Sequence, residues 1–143
     1  MSRDNEIVMH WDCTRQGCFN RKKRLKFSVF KDCLPGNISL TDVDGLVEIQ
    51  GNLLLLEWKD HQRIGVGQRI LFQRLTTLCP ATVLIVEGDA EDMSVDAVAT
   101  AWDGRIGPFQ TANLDSLRET VRQWSAWALV HPAGQRMRGL AGE

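Results

Sequence analysis

Apolar residues along this chain recur at three- and four-residue spacing in some stretches and alternate or run together in others, a pattern that mixes helices with strands. From Ile38 the spacing is extended: Ile38, Leu40, Val43, Leu46, Val47 and Ile49 precede a Gln50-Gly51-Asn52 turn, and the run Leu53 to Trp58 follows. Two extended segments around a Gly-containing turn predict a β-hairpin with residues 49 and 52 opposed. Leu53, Leu54, Leu55 and Leu56 leave no polar face, so this strand is expected to be covered on both sides and central in its sheet. Ile70, Leu71, Leu75 and Leu78 recur at helical spacing between Gly67 and Pro80, which predicts a helix over 67–79. Residues 82–86 then read as a short buried strand. Strand 53–58, helix 67–79 and strand 82–87 make a crossover unit, and hence a mixed α/β sheet flanked by helices.

Upstream, Leu25, Phe27, Val29 and Phe30 are interleaved with basic residues and stop at Pro35-Gly36. Length and stop signal favour a helix over 20–33, although the alternation of 25, 27 and 29 also fits a strand. Downstream, residues 97–102, an Asp103-Gly104 turn and Arg105 onward predict a second hairpin closed by Pro108. Ser116 with Glu119 has the form of a capping box, and Leu117, Val121, Trp124, Ala128 and Leu129 form the stripe of a helix over about 114–130. Trp124 and Trp127 are expected in the core. The organisation is that of one domain: an N-terminal arm over 1–18, a core over 20–90, a C-terminal hairpin and helix over 95–130, and a flexible tail over 132–143.

With 143 residues, 43% hydrophobic and 24% charged, the chain has the balance of a single soluble globular domain that needs no disulfide or metal staple. No apolar run approaches the roughly 18–20 residues that span a bilayer, and Arg3, Asp4 and Glu6 precede no signal-peptide core, so a cytoplasmic protein without a membrane partner is expected. A net charge of -1 does not announce nucleic acid, but the distribution is uneven. Residues 1–34 carry eight basic and four acidic side chains, whereas residues 81–104 carry six acids and neither Lys nor Arg. His10, Cys13, Cys18 and Cys33 are the residue types of a structural Zn²⁺ site. They contain no Cys-x2-Cys pair, so reduced thiols are the reading of these and of Cys79.

The most informative stretch is Thr41-Asp42-Val43-Asp44-Gly45 and, with twelve residues intervening after Asp44, Glu57-Trp58-Lys59. A hairpin turning at Gln50-Gly51 places Asp44 opposite Glu57, and Lys59, two residues on, shares the face of Glu57. Neighbouring carboxylates repel unless a cation lies between them, and hard ions such as Mg²⁺ or Mn²⁺ accept such oxygens while keeping several waters. An ion there can activate water and offset charge on a phosphodiester transition state, with Lys59 adding a positive charge. The spacing alone equally fits a turn-forming Asp44 and a solvated strand-end pair of Glu57 and Lys59.

The segment Asp42-Val43-Asp44-Gly45, the leucine run ending in Glu57-Trp58-Lys59, and Gly67-Gln68 together resemble the PD-(D/E)XK, restriction-endonuclease-like nuclease superfamily over about residues 20–90. The chain also resembles small phage- or prophage-encoded nucleases. The resemblance implies a restriction-endonuclease-like α/β core: a helix, a three-strand antiparallel meander, a crossover helix and a further strand. It implies a Mg²⁺- or Mn²⁺-dependent deoxyribonuclease in which Asp44 and Glu57 are metal carboxylates and the Trp58 carbonyl a further ligand. Lys59 would be the catalytic lysine and Gln68 a supporting glutamine, with Asp42 the rival of Asp44. Many members carry an acid on the first helix; residues 20–31 have none, leaving Asp32 or Glu6 as substitutes for a second metal position.

Arg21, Lys22, Lys23, Arg24 and Lys26 are candidates to track a DNA backbone, with Arg63 and Arg69 weaker ones; a solvated helix face is the plain alternative. His61 reads as a loop histidine, and Glu87, Asp89, Glu91 and Asp92 as a charged loop rather than a second cation site. The alternative function is a non-catalytic nucleic-acid-binding or regulatory protein of the same fold, and a protein partner is a third reading. One catalytic centre per chain means that double-strand cleavage needs a homodimer or two encounters.

Overall fold

The computed structural model describes residues 25–134. The N-terminal arm over 1–18, the basic residues Arg21, Lys22, Lys23 and Arg24, and the tail beyond 134 lie outside the described residues. The chain separates into two compact units, Met1–Asp42 and Val43–Glu143. In the first, the expected α-helix over 20–33 is, within the described part, a seven-residue 3-10 helix, Phe27–Cys33, with no side-chain cap and no buried residue. Its apolar residues alternate rather than form a stripe, so it lacks the packed face that sustains a long helix. Residues 38–43 form no strand, so the extended segment expected from Ile38 begins its pairing only at Gly45.

The second unit is a six-stranded mixed sheet with two helices. Strands β1 (Gly45–Ile49) and β2 (Asn52–Lys59) form the expected hairpin, with Ile49 opposite Asn52. Gln50 and Gly51, at φ 54° and 84°, supply the left-handed pair of a two-residue turn whose twist matches the strands. Helix α1 (Val66–Leu78) then crosses to β3 (Ala81–Asp89), which lies parallel to β2 from Leu53 opposite Ala81 to Lys59 opposite Glu87. β4 (Ser94–Trp102) returns antiparallel to β3. An Asp103-Gly104 turn leads to β5 (Arg105–Ile106), which pairs with β4, as does β6 (Gln110–Thr111) farther along it. Helix α2 (Leu114–Val130) closes the unit. Among the described residues, no helix is long and apolar enough to cross a membrane.

Alternation along the strands divides the core into two layers. Leu55, Val83, Ile85, Ala99 and Ala101 pack with Phe72 and Leu75 of α1. Leu54, Leu84, Val86 and Val95 pack with Leu117, Val121 and Trp124 of α2 on the other face. β2 is an interior strand between β1 and β3, but its leucines are not equally covered; residues 83–86 of β3, at most 1% exposed, form the true centre. A β-bulge between Glu87 and Gly88 shifts the β3–β4 register. Gly88 is required there because a Cβ would collide with the Ser94 carbonyl and press on the Trp58 ring.

Leu75 of α1 and Leu117, Val121, Trp124 and Ala128 of α2 face the core as expected, and the rest of each expected stripe does not. α1 turns Phe72, Leu75 and Thr76 inward and leaves Ile70, Leu71 and Leu78 largely outside. The buried Thr76 hydroxyl is satisfied: it donates to the Phe72 carbonyl at 2.7 Å and accepts from the Gly104 N–H at 2.9 Å. α2 starts one turn earlier than a Ser116–Glu119 box would place it. Asn113 is the cap, its side chain and that of Ser116 bonding each other's backbone N–H, while Glu119 pairs with Arg122 at 3.0 Å. Leu129 faces out, and Trp127 stacks on His131 at 5.0 Å rather than entering the core.

Asn52, only 2% exposed, ties the two ends of the unit together. Its Nδ2 donates to the carbonyls of His131 at 2.9 Å and Ala128 at 3.5 Å, capping the otherwise orphaned end of α2. The Ala133 N–H donates to the Gln50 carbonyl at 2.9 Å, so the start of the expected tail is anchored. Asn52→Ala strands buried carbonyls and is expected to cost about 1–3 kcal/mol in urea unfolding. Leu129→Ala, at an exposed position, is expected to stay within about 0.5 kcal/mol of wild type.

Candidate functional site

Because β2 and β3 are parallel, both carboxyl ends open at the same end of the sheet, the position where open α/β sheets receive ligands. β1 enters at this end. Its ladder with β2 finishes at Gly45 opposite Leu56, and one step further brings Asp44 level with Glu57. Asp44 continues the ladder with its side chain: Oδ2 accepts a hydrogen bond from the Trp58 N–H at 2.7 Å. One oxygen of this exposed carboxylate is thereby anchored.

Glu57 is half-buried on the α1 face of β2, and its Oε1 accepts from Gln68 Nε2 at 2.8 Å. Gln68 is the third residue of α1, so the bond draws the amino end of that helix to the carboxylate. This end has Gly65 as its cap residue, no side-chain cap and no acidic residue in its first turn, which leaves its partial positive charge uncancelled by its own sequence. Lys59 shares the face of Glu57 by the two-residue period of the strand and is also half-buried. The Trp58 side chain packs on the opposite face with the α2 layer, so only its backbone belongs to the site.

Glu87 was assigned by sequence pattern to a charged loop but is a residue of β3. It is the register partner of Lys59 and therefore stands beside it on the same face. Its Oε1 accepts from Gln62 Nε2 at 3.1 Å, a bond that fastens the β2–α1 loop to β3. Neither residue stands out in the sequence; the signal becomes readable only when the β2–β3 register is known.

Asp89, also expected in the loop, is the last residue of β3, and it and the loop residue Asp92 have structural work. Asp89 Oδ1 accepts from the Glu91 N–H at 2.9 Å and Asp92 Oδ1 from the Ser94 N–H at 2.8 Å, each closing a local turn. His61 is exposed, its Nδ1 accepting from the Arg63 N–H at 3.1 Å and its Nε2 lying 3.6 Å from Asp60 Oδ1. Asp32, Cys33, Asp42 and the exposed Lys26 belong to the first unit; Cys33 lies at the surface with its Sγ 3.8 Å from Asp32 Oδ1. Glu6, His10, Cys13, Cys18, Arg21, Lys22, Lys23 and Arg24 lie outside the described residues.

Among the described residues, no group of three or more His, Cys, Asp or Glu side chains is placed to hold a metal ion. A cation at this end would rest on Asp44 and Glu57, with water and backbone oxygen completing its shell. Two hard carboxylates with open positions suit Mg²⁺, which keeps several waters. Among the described residues, Asp44, Glu57, Asp60, Glu87 and Asp89 lie at or beside the strand ends together with Lys59, Arg63 and Arg69. No protein-family model, curated protein or solved structure matches the chain.

The hydroxyl and backbone N–H of Ser94 hold the exposed Asp92 carboxyl below its ordinary value. A depressed folded-state value means that this turn gains from ionisation above the ordinary carboxyl range and loses the gain as pH falls through the folded-state value. In an NMR titration, the Asp92 midpoint is expected below 3.8, and Ser94→Ala should move it upward. An unchanged midpoint in the variant would remove the hydroxyl as a cause.

Proposed function

We propose that the chain is a metal-dependent nuclease of the PD-(D/E)XK, restriction-endonuclease-like type that hydrolyses phosphodiester bonds in DNA. The observation that carries the reading is the convergence at the carboxyl ends of a parallel strand pair: Asp44 level with Glu57, Lys59 on the same face, and Gln68 bonded to Glu57. The order hairpin, crossover helix, parallel strand agrees with the core of that superfamily, although two strands rather than three precede α1 among the described residues.

Asp44 and Glu57 would hold Mg²⁺ or Mn²⁺, with the Trp58 carbonyl as a further ligand. When bound, the ion supplies Lewis acidity toward a phosphate oxygen and an activated water. The residues of the chain do the positioning. The Trp58 N–H holds Asp44 and Gln68 holds Glu57, so both carboxylates keep their geometry as the substrate arrives. Lys59 sets a positive charge beside the scissile phosphate, where it offsets developing negative charge or takes a proton from the attacking water. The uncapped amino end of α1 adds a dipole of the sign that favours phosphate. The basic residues Arg21, Lys22, Lys23, Arg24 and Lys26 would contact the nucleic-acid backbone and make binding salt-dependent.

The test is cleavage of supercoiled plasmid, single-stranded DNA and a four-way junction in Mg²⁺, Mn²⁺ or EDTA. Glu57→Ala and Lys59→Ala are each expected to lower metal-dependent cleavage by at least about 10²-fold. Asp44 also has a purely structural use, as the acceptor that extends the β1–β2 ladder, and this favours a second reading, a binding protein that retains the fold. DNA retained in EDTA with no cutting of any substrate would establish that second reading and overturn the first. A monomer with one such centre is expected to nick plasmid, and concerted double-strand breaks by a demonstrated monomer at limiting enzyme would contradict the single-centre account.

A further inference from the structure

Lys59 has two carboxylates for neighbours, and only one of them belongs to the proposed ion site. Glu57 lies two residues before it on the same strand and face; Glu87 is its register partner on β3, one strand spacing of about 4.8 Å away along the sheet. Among the described residues, Lys59 closes an ion pair with neither neighbour. Its side chain is a charge on a flexible four-carbon stem, and what surrounds it decides where that charge rests.

The two carboxylates differ in what a bound cation does to them. With a cation held by Asp44 and Glu57, the negative charge of Glu57 would be offset and the nearby Lys59 ammonium repelled. Glu87 is two residues further along the sheet than the strand position level with Glu57, which is Ile85, and so keeps its charge. Gln62 also holds it: the bond to Oε1 fixes the carboxylate from the loop that follows Lys59. Opposite charges directly across neighbouring strands attract, whereas a released lysine in their absence gains rotamer freedom and hydration.

We propose that Glu87, oriented by Gln62, is the positioning residue that keeps the Lys59 ammonium at the site once a cation occupies Asp44 and Glu57. This rests on the phosphodiester reading of the same strand ends. Glu87 itself touches neither the ion nor the substrate; it acts through Lys59. Gln62→Ala should therefore weaken the same function to a smaller degree, by freeing the carboxylate without removing it.

Two measurements test the proposal independently. The first is the NMR order parameter of the Lys59 Cε in wild type, Glu87→Gln and Glu87→Asp, without metal and with Ca²⁺. Order is expected to fall in Glu87→Gln, most with Ca²⁺ present, and to recover in Glu87→Asp; equal order in wild type and Glu87→Gln under both conditions overturns the proposal whatever the cleavage assays return. The second is a double-mutant cycle in cleavage. Glu87→Gln is expected to lower kcat about tenfold with KM little changed, and to have no further effect in a Lys59→Ala background. Additive losses would mean that Glu87 does not act through Lys59 and would also overturn it. Wild-type protein that cuts no substrate defeats the nuclease reading, and the order parameter then decides the role of Glu87 alone.

Discussion

Parallel strands cannot be joined by a tight turn, and the pairing of β2 with β3 therefore dictates most of this structure. It requires a crossover, which α1 provides, and it requires that both faces of the pair be covered, which α1 and α2 do with separate side-chain layers. It also brings two carboxyl strand ends to one end of the sheet. Glu57 and Lys59 on one strand, Glu87 on the other and Gln68 at the start of the connecting helix meet there for that single reason. A β2–β3 pairing of the opposite sense would have separated Lys59 from Glu87 by the length of the sheet.

The polar network at that end is ordered from outside in. The Trp58 N–H engages Asp44, Gln68 engages Glu57 and Gln62 engages Glu87, so each of the three carboxylates accepts a hydrogen bond from a neutral donor. Neutral donors fix geometry but leave the negative charge in place. The opposite end of the sheet is built for retention instead: Asn52, the helix end at His131 and the turn at Gln50 are joined by hydrogen bonds that secure α2 over the core.

Much of the architecture is legible in the sequence. The two glycine-containing turns at 50–51 and 103–104, the helix from 114 to 130 and the strand–helix–strand crossover all follow from local rules of turn chemistry, period and length. What failed did so for identifiable reasons. Periodicity in α1 named Ile70, Leu71, Leu75 and Leu78, of which Leu75 packs on the core, while the buried face also includes Thr76, a polar residue made acceptable by its bonds to Phe72 and Gly104. The Ser116–Glu119 pattern lost to Asn113, whose amide forms the reciprocal cap with Ser116. Alternation among basic residues around Phe27 and Val29 was ambiguous between helix and strand, and a short 3-10 helix is what a segment without a packed face forms.

For the candidate site, sequence determined the spacing from Asp44 to Glu57 and Lys59, because a two-residue turn and a two-residue strand period leave only one register for a hairpin. It also placed Gln68 at the start of the following helix. The tertiary structure alone decided that Gln68 reaches Glu57, that Glu87 stands beside Lys59, and that Asn52 is buried under the end of α2. These are contacts between residues eleven to seventy-nine positions apart. Local patterning sets which face a side chain occupies, but only the register between β2 and β3 and the seat of each helix decide what it meets there.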